Sequence, residues 1–317
     1  MIKSKSMKKR GLKNFGDNVD GLLLLNKPSG MTSNRALQIV RRFLNAKKAG
    51  HTGSLDPAAT GMLPLCFGQA TKVCKYLLSS DKSYLVTAYL GVATHTGDVD
   101  GKEISTMPIP DKTYNEWKEL IESFIGISDQ VPPMFSALRV NGKRLHELAR
   151  NGEIIDREAR SIQIYSIEML KLTLPLLIFR VRCSKGTYIR SLVEDIAKKA
   201  GTVAYTAKLH RESVGTLKSE GMIDMQIIES LFNKGVDSLR NKLLPVDFAL
   251  SGMPQANINA EEAIKFCAGQ ELNDFPDKKD GLIRVYKMGQ EFLGIGEVTR
   301  QRVLLPRRIF VIQEKTT

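Results

Sequence analysis

Residues 49–90 read AGHTGSLDPAATGMLPLCFGQATKVCKYLLSSDKSYLVTAYL, and the spacing of their apolar side chains changes along the way. Gly50 to Gly61 holds three Gly, one Pro and mostly small residues, too little bulk for core packing, so it reads as a loop. Gly61 to Phe67 then reads as a strand and Ala70 to Leu78 as a helix. Lys82 to Leu90 is a strand alternating Tyr84, Val86, Ala88 and Leu90.

Working outward, Gly21 to Leu25 predicts a buried strand, and the polar turn Asn26 to Met31 leads into a helix capped by Thr32 or Ser33. That helix carries the stripe Ala36, Ile39, Val40, Phe43 and Leu44, which leaves Arg35, Arg41 and Arg42 off the core face. Downstream, Thr113 and Glu116 form a capping box for a helix with Trp117, Leu120, Ile121 and Phe124 on one side, stopped by Gly126. Asn141-Gly142 marks a tight turn, Ser161 to Cys183 suggests two paired strands, and Thr187 to Lys199 is a helix ended by Gly201. Helices and strands alternate without a strict βα repeat, which predicts an α+β fold with a mixed, largely antiparallel sheet flanked by helices. From Leu244-Pro245 to Pro254 the pattern relaxes. Short β-rich pieces punctuated by Gly281, Gly289, Gly294 and Gly296 then predict a small C-terminal barrel, with the boundary near residue 248.

Forty-seven Lys and Arg against 34 Asp and Glu give a net charge of +13 over 317 residues, a balance suited to a polyanion. Leu174 to Phe179 is far shorter than the roughly 20 apolar residues that span a bilayer, so no membrane partner is expected. Met1 to Lys13 holds six basic groups and no acid, followed by no apolar segment of the kind that directs secretion. Cys66, Cys74, Cys183 and Cys267 never form C-x-x-C, and they read as buried free thiols in a reducing cytosol. With four His and no H-E-x-x-H, the sequence offers little to build a metal site.

Between Gly21 and Ser80 the only acid is Asp56, although the overall frequency of 34 in 317 would place about six there. Eight cations share the stretch: Lys27, Arg35, Arg41, Arg42, Lys47, Lys48, Lys72 and Lys75. A lone carboxylate among cations is expected to stay ionised well below neutral pH, which suits nucleophilic or base chemistry beside a phosphate backbone. The plainer alternative is that Asp56-Pro57 is a turn dipeptide. The loop lacks the G-K-[ST] ending of a nucleotide P-loop.

NKPSGMTS, AGHTGSLDPAATGMLPLCFGQATK, KSY and CSKGTYIRSL, in that order, closely resemble the TruB family of tRNA pseudouridine synthases, nearly continuously from Gly21 to about Val214. The resemblance implies the pseudouridine synthase fold with a PUA-like C-terminal barrel. The implied division is a basic flexible tail (1–20), a catalytic domain (21–247) with an insertion that closes over RNA (131–152), and an RNA-binding unit (248–317). It implies that Asp56 is the catalytic aspartate, Arg190 its basic partner, and Tyr84 an aromatic that stacks on the target base. His51 would help open the T loop, Lys27 with Pro28 would lie beside the active site, and Asp98 would lie near displaced loop nucleotides. Arg139, Lys143 and Arg144 of the insertion would contact RNA, as would Arg300, Arg302, Arg307 and Arg308 of the C-terminal unit. One departure is His95, where the family more often has Asp. The partner implied is the T arm of tRNA, and the implied setting is a monomer in the cytoplasm. Because the product is an isomer of the substrate, no cofactor or metal is implied. A stacked uridine must be extruded before either face of its glycosidic bond can be reached, and Tyr84 would replace stacking worth roughly 1 to 3 kcal/mol. A non-catalytic RNA-binding protein and a glycoside hydrolase are the competing readings; the hydrolase normally needs two facing carboxylates.

Overall fold

The computed structural model describes residues 16–140, 142–275, 280–288 and 291–310. In chain order the larger unit contains β1 (Gly21–Lys27), α1 (Ser33–Phe43), β2 (Ala49–His51), β3 (Thr60–Phe67), α2 (Cys74–Leu78) and β4 (Lys82–Leu90). Then come β5 (Val92–Thr94), β6 (Glu103–Thr106), α3 (Tyr114–Glu122), β7 (Gly126–Gln130), the short pair β8 (Arg139–Val140) and β9 (Lys143–Arg144), and α4 (Leu145–Arg150). It finishes with β10 (Arg160–Thr173), β11 (Leu176–Cys183), α5 (Ile189–Ala200), β12 (Ala204–Val214), β13 (Ile223–Asp224), α6 (Met225–Asn233) and α7 (Val236–Arg240).

One large sheet runs β13-β1-β3-β12-β4-β11-β10-β7, with β2 joined to β3. β13 on β1 and β12 on β3 are parallel and the other pairs antiparallel, which is the mixed, largely antiparallel sheet expected. Alternation decides which face each residue covers. Leu23 and Leu25 of β1 pack with Ala36, Leu37 and Val40 of α1, whereas Leu22 and Leu24 enter a second cluster with Met62, Val73 and Leu77. Tyr84, Val86, Ala88 and Leu90 of β4 point together into a third cluster with Trp117 and Ile121 of α3 and Leu192, Val193 and Ile196 of α5.

Thr32 caps α1 and the Thr113–Glu116 box caps α3, as their sequences predict. The expected helix over Ala70–Leu78 is instead a 3₁₀ segment, Gly68–Val73, running into α2. The Thr71 hydroxyl donates back to the Gly68 carbonyl at 2.7 Å, a local bond that competes with the α-helical ladder. Residues 16–20 are not a loose tail: Val19 is buried, and Asp17 bridges to Ala46 and pairs with Arg240. Met1 to Lys13 and Asn141 lie outside the described residues. The thiols also divide differently from the expectation, Cys66 and Cys183 being buried, Cys74 half-buried and Cys267 exposed. A helix end facing solvent needs no apolar side chain, and Cys267 is the last residue of its helix.

Beyond residue 254 a separate four-stranded sheet runs β14 (Gln255–Ile258), β15 (Gly281–Lys287), β16 (Glu291–Val298) and β17 (Leu304–Ile309), with α8 (Ala260–Cys267) packed on it through Phe266. Tyr286, Phe292 and Phe310 of this unit join Leu22, Met62, Val246 and Leu250 in one cluster, so an apolar seam connects the two sheets.

Gly61 is where β3 meets β12. Its φ is +98°, and an added Cβ would lie 2.4 Å from the Arg211 carbonyl oxygen and 2.7 Å from its nitrogen. Gly61→Ala is therefore expected to cost about 2 kcal/mol or more from strained backbone and backbone clash. Urea unfolding would measure it, and an unchanged midpoint would contradict the register of β3 on β12.

Candidate active site

Asp56 lies in the loop between β2 and β3, and neighbouring groups fix that loop at every step. The buried Ser33 hydroxyl, at the start of α1, accepts from Leu55 N at 2.8 Å and donates to Leu55 O at 3.1 Å. Ala59 N donates to Asp56 O at 3.1 Å, closing a turn. The Pro57 carbonyl accepts from Gly30 N at 2.9 Å and from Lys27 Nζ at 3.1 Å. Leu55 and Ala59, on either side, are anchored in the main core. The loop is thus rigid although it contains almost no bulky residues.

Its carboxylate meets Arg190, the second residue of α5, with Nε 3.0 Å from Oδ2. Arg190 is 5% exposed at its side chain, and its other nitrogens are taken: Nη1 donates to Thr96 O at 2.7 Å and Nη2 to Phe135 O at 2.6 Å. Nη1 also lies 3.8 Å from Asp98 Oδ2. Asp98 is itself buried, accepting from the Thr96 hydroxyl at 2.6 Å and Asp100 N at 3.1 Å. The guanidinium therefore joins the Asp56 loop, the turn after β5 and the segment that begins at residue 131. The Gln130 side chain pairs with both backbone groups of Tyr188, which holds the start of α5 beside that segment.

Burial pushes the Asp56 carboxyl above its ordinary value, opposed by Arg190 and reinforced by Asp98 and Asp100. This corrects the expectation that surrounding cations hold it far down. Of the eight cations nearby in sequence, Lys27 acts on the carboxylate, while Arg41 turns to the carbonyls of Ala46 and Lys47, Arg42 to that of Gln38 and Lys72 to that of Ile309. The side chain stays 39% exposed through the cleft mouth, and the walls remove much of the water that a surface carboxylate keeps. Activity that requires the anion is then lost, as pH falls, at a higher pH than for a free aspartate near 3.8. A kcat/KM profile would show this, and an acid limb at or below that value would contradict the buried setting.

Lys27 is fully buried, its ammonium donating to the carbonyls of Pro28, Met31 and Pro57, and burial pulls its pKa down to about 8. It supports the Asp56 loop from beneath. Tyr84 is 7% exposed and sits in the same core cluster as Leu55 and Ala59. His51 ends β2 with its Nδ1 covered and without a hydrogen-bond partner among the described residues, and burial lowers its pKa, which favours neutral imidazole. Lys143 is exposed on the short β8–β9 pair, whereas the side chains of Arg139 and Arg144 lie outside the described residues. His95 accepts from Lys102 N at 2.8 Å and packs edge-on against Phe135, so it closes the turn as an Asp acceptor would.

Arg211 was not singled out by sequence, although a charge at an inward position of a strand is a visible signal. It is 1% exposed, and it donates to Met62 O at 2.7 Å and Gly53 O at 3.0 Å. Lys27 and Arg211 thus hold backbone carbonyls before and after Asp56, and Arg190 holds its carboxylate.

Three family models match consecutive parts of the chain: the N-terminal domain of the TruB family pseudouridylate synthases over residues 41–189, the tRNA pseudouridylate synthase B C-terminal domain over 190–251, and the pseudouridine synthase II TruB C-terminal model over 254–310. A tRNA pseudouridine synthase B of Nitrosococcus oceani is 41% identical over 298 residues, 94% of this chain and 97% of that protein. One from Ectopseudomonas mendocina is 44% identical over 292 residues, covering 92% and 95%. Among solved structures, a Cbf5-Nop10-Gar1 complex superposes with a TM-score of 0.72 at 24% identity, covering 92% of this chain and 85% of the matched one. An H/ACA RNP bound to a substrate RNA containing 2′-deoxyuridine gives 0.71 at 20%, covering 99% and 96%. The fold is shared with those two, and the relatives establish more: this chain belongs to the TruB family of pseudouridylate synthases.

Proposed function

We propose that this protein isomerises the T-loop uridine of tRNA, position 55, to pseudouridine, with Asp56 as the reacting carboxylate. The observation that carries the proposal is Asp56 held 3.0 Å from Arg190 at the mouth of a cleft in a chain of this family. Extrusion brings the nucleotide to the cleft, and Tyr84 stacks on the target base. Asp56 then either attacks C1′ or removes the 2′ proton. By either route the N1–C1′ bond breaks and uracil turns; C5 then bonds to C1′ as the Asp56–C1′ bond breaks or as the 2′ proton returns to C2′, and the proton on C5 is lost while N1 gains one. Arg190 is a positioning residue, because its remaining nitrogens are bonded to carbonyls and only Nε faces the carboxylate. Asp98, facing Arg190 and not open solvent, works in the same way. Asp98 is buried and its Oδ1 accepts from the Thr96 hydroxyl and Asp100 N, so it is not placed to act as the second, proton-donating acid of a hydrolase. His51 helps open the loop as a neutral ring.

The division of labour proposed is a catalytic unit to residue 247, an RNA-closing insertion at 131–152 with Arg139, Lys143 and Arg144, and an RNA-binding unit from 248, in a cytoplasmic monomer. The +13 charge supports phosphate contact. For about 6 to 10 phosphate contacts, affinity falls by something like 10³ to 10⁵ between roughly 50 and 200 mM salt. A filter-binding titration showing a flat salt dependence would contradict phosphate contact. The reading itself is tested by adding the protein to a pool of unmodified tRNA. Pseudouridine at the T-loop position alone supports it, and its absence there refutes it.

A further inference from the structure

Cys66 stands on β3 directly opposite Gly50 of β2, and Cys74, further along the chain, opens α2. Opposed side chains on one face of an antiparallel pair come within about 5 Å of each other, and Gly50 supplies none. The Cys74 thiol occupies the space this leaves: a Cβ placed on Gly50 would lie 3.6 Å from its Sγ. The two sulfurs therefore meet above the Gly50–Cys66 pair, and the thiols share a hydrogen bond. Cys66 is fully buried in the apolar seam between the two sheets, whereas Cys74 is half-buried at its edge. The hydrogen bond from Cys66, with Lys48 nearby, lowers the pKa of Cys74, and the same bond together with burial raises that of Cys66. Cys183 is a contrast, its thiol bonded to the Lys82 carbonyl at 3.8 Å and pushed up to about 11 by burial.

We infer that Cys66 and Cys74 form a reversible oxidation site, which a peroxide converts to an intramolecular disulfide. Cys74 is the thiol that solvent reaches, and it attacks one peroxide oxygen as the thiolate. The O–O bond breaks, the other oxygen leaves as hydroxide and takes up a proton to become water, and Cys74 is left as a sulfenic acid. The Cys66 sulfur then attacks that of Cys74. The S–S bond forms, the S–O bond breaks, and the departing hydroxyl takes the Cys66 proton as a second water. The pair loses two electrons and two protons, and the peroxide gains them. Because the second sulfur is already in contact, oxidation stops at a state that a dithiol reductant reverses, and Cys74 is spared the irreversible sulfinic acid. The pair lies outside the residues assigned to uridine isomerisation, so the inference stands or falls independently of that reading.

The test exposes the folded full chain to hydrogen peroxide, removes the oxidant with catalase, then unfolds the protein and blocks remaining thiols with iodoacetamide. Peptide mass spectrometry reads the state of each cysteine. The inference expects wild type to yield a species joining Cys66 to Cys74, two hydrogens lighter than the separate peptides, that dithiothreitol reverses, while Cys183 stays alkylated. In Cys66→Ala the same exposure should carry Cys74 on to the sulfinic acid, and in Cys74→Ser the buried Cys66 should remain reduced. Wild-type Cys66 and Cys74 both alkylated after peroxide, wild-type Cys74 passing to sulfinic acid without the disulfide, or Cys66 oxidised equally in Cys74→Ser would each overturn it. Cys74→Ser replaces a half-buried thiol by a group of similar size, so it keeps the inference falsifiable should Cys66→Ala fail to fold.

Discussion

Asp56→Asn is expected to lower turnover by at least about 10⁴-fold while RNA affinity stays within about threefold. The amide is nearly isosteric and can still face Arg190 Nε through its oxygen, so the loop fixed by Ser33, Lys27 and Gly30 should hold its shape. It lacks the negative charge that either chemical route uses, and it is a poor nucleophile and a poor base. Single-turnover assays with binding measured in parallel separate the two effects. Substantial product from the variant would remove Asp56 from the reaction, and a large loss of affinity would mean that the carboxylate mainly supports the RNA-binding surface.

Arg190→Lys should follow, with a loss of about 10² to 10³-fold in kcat/KM, because a displacement on the order of 1 Å in a reacting group carries a cost of this size. The guanidinium makes three directed contacts at once: Nε to Asp56, Nη1 to Thr96 O and Nη2 to Phe135 O. A single ammonium cannot occupy all three positions, and a lysine in this place leaves a buried carbonyl or the carboxylate unpaired. Stability should fall by about 1 to 3 kcal/mol for the same reason. Near-normal turnover in Arg190→Lys would rule out orientation by the fork and leave only its charge.

Periodicity made parts of this fold legible. The alternation of Tyr84 to Leu90, the leucines of β1, and the stripes of the helices capped by Thr32 and Thr113 each predict an element that packs on the predicted side. Sheet order was not legible. β12, about 150 residues after β3, inserts between β3 and β4, and β13 pairs in parallel with β1. Such pairings depend on contacts distant in sequence, and no local pattern encodes their register.

The site divides in the same way. The block around Asp56 is distinctive because it joins a run of small residues to a lone acid. The direction of its pKa was misjudged because counting cations along the chain says nothing about where their side chains turn, or about how far walls supplied by other elements remove water. The buried cation latches Lys27 and Arg211 escaped notice as latches for another reason. Their partners are backbone carbonyls, which every residue possesses, so only the folded chain reveals which carbonyls converge.

The most direct measurement is a crystal structure of the Asp56→Asn variant bound to a tRNA T arm. The account predicts the target uridine swung out of its loop, with C1′ within about 3.5 Å of the residue 56 side chain and the base over Tyr84. A uridine still stacked in its loop, or bound with its sugar facing away from residue 56, would contradict it.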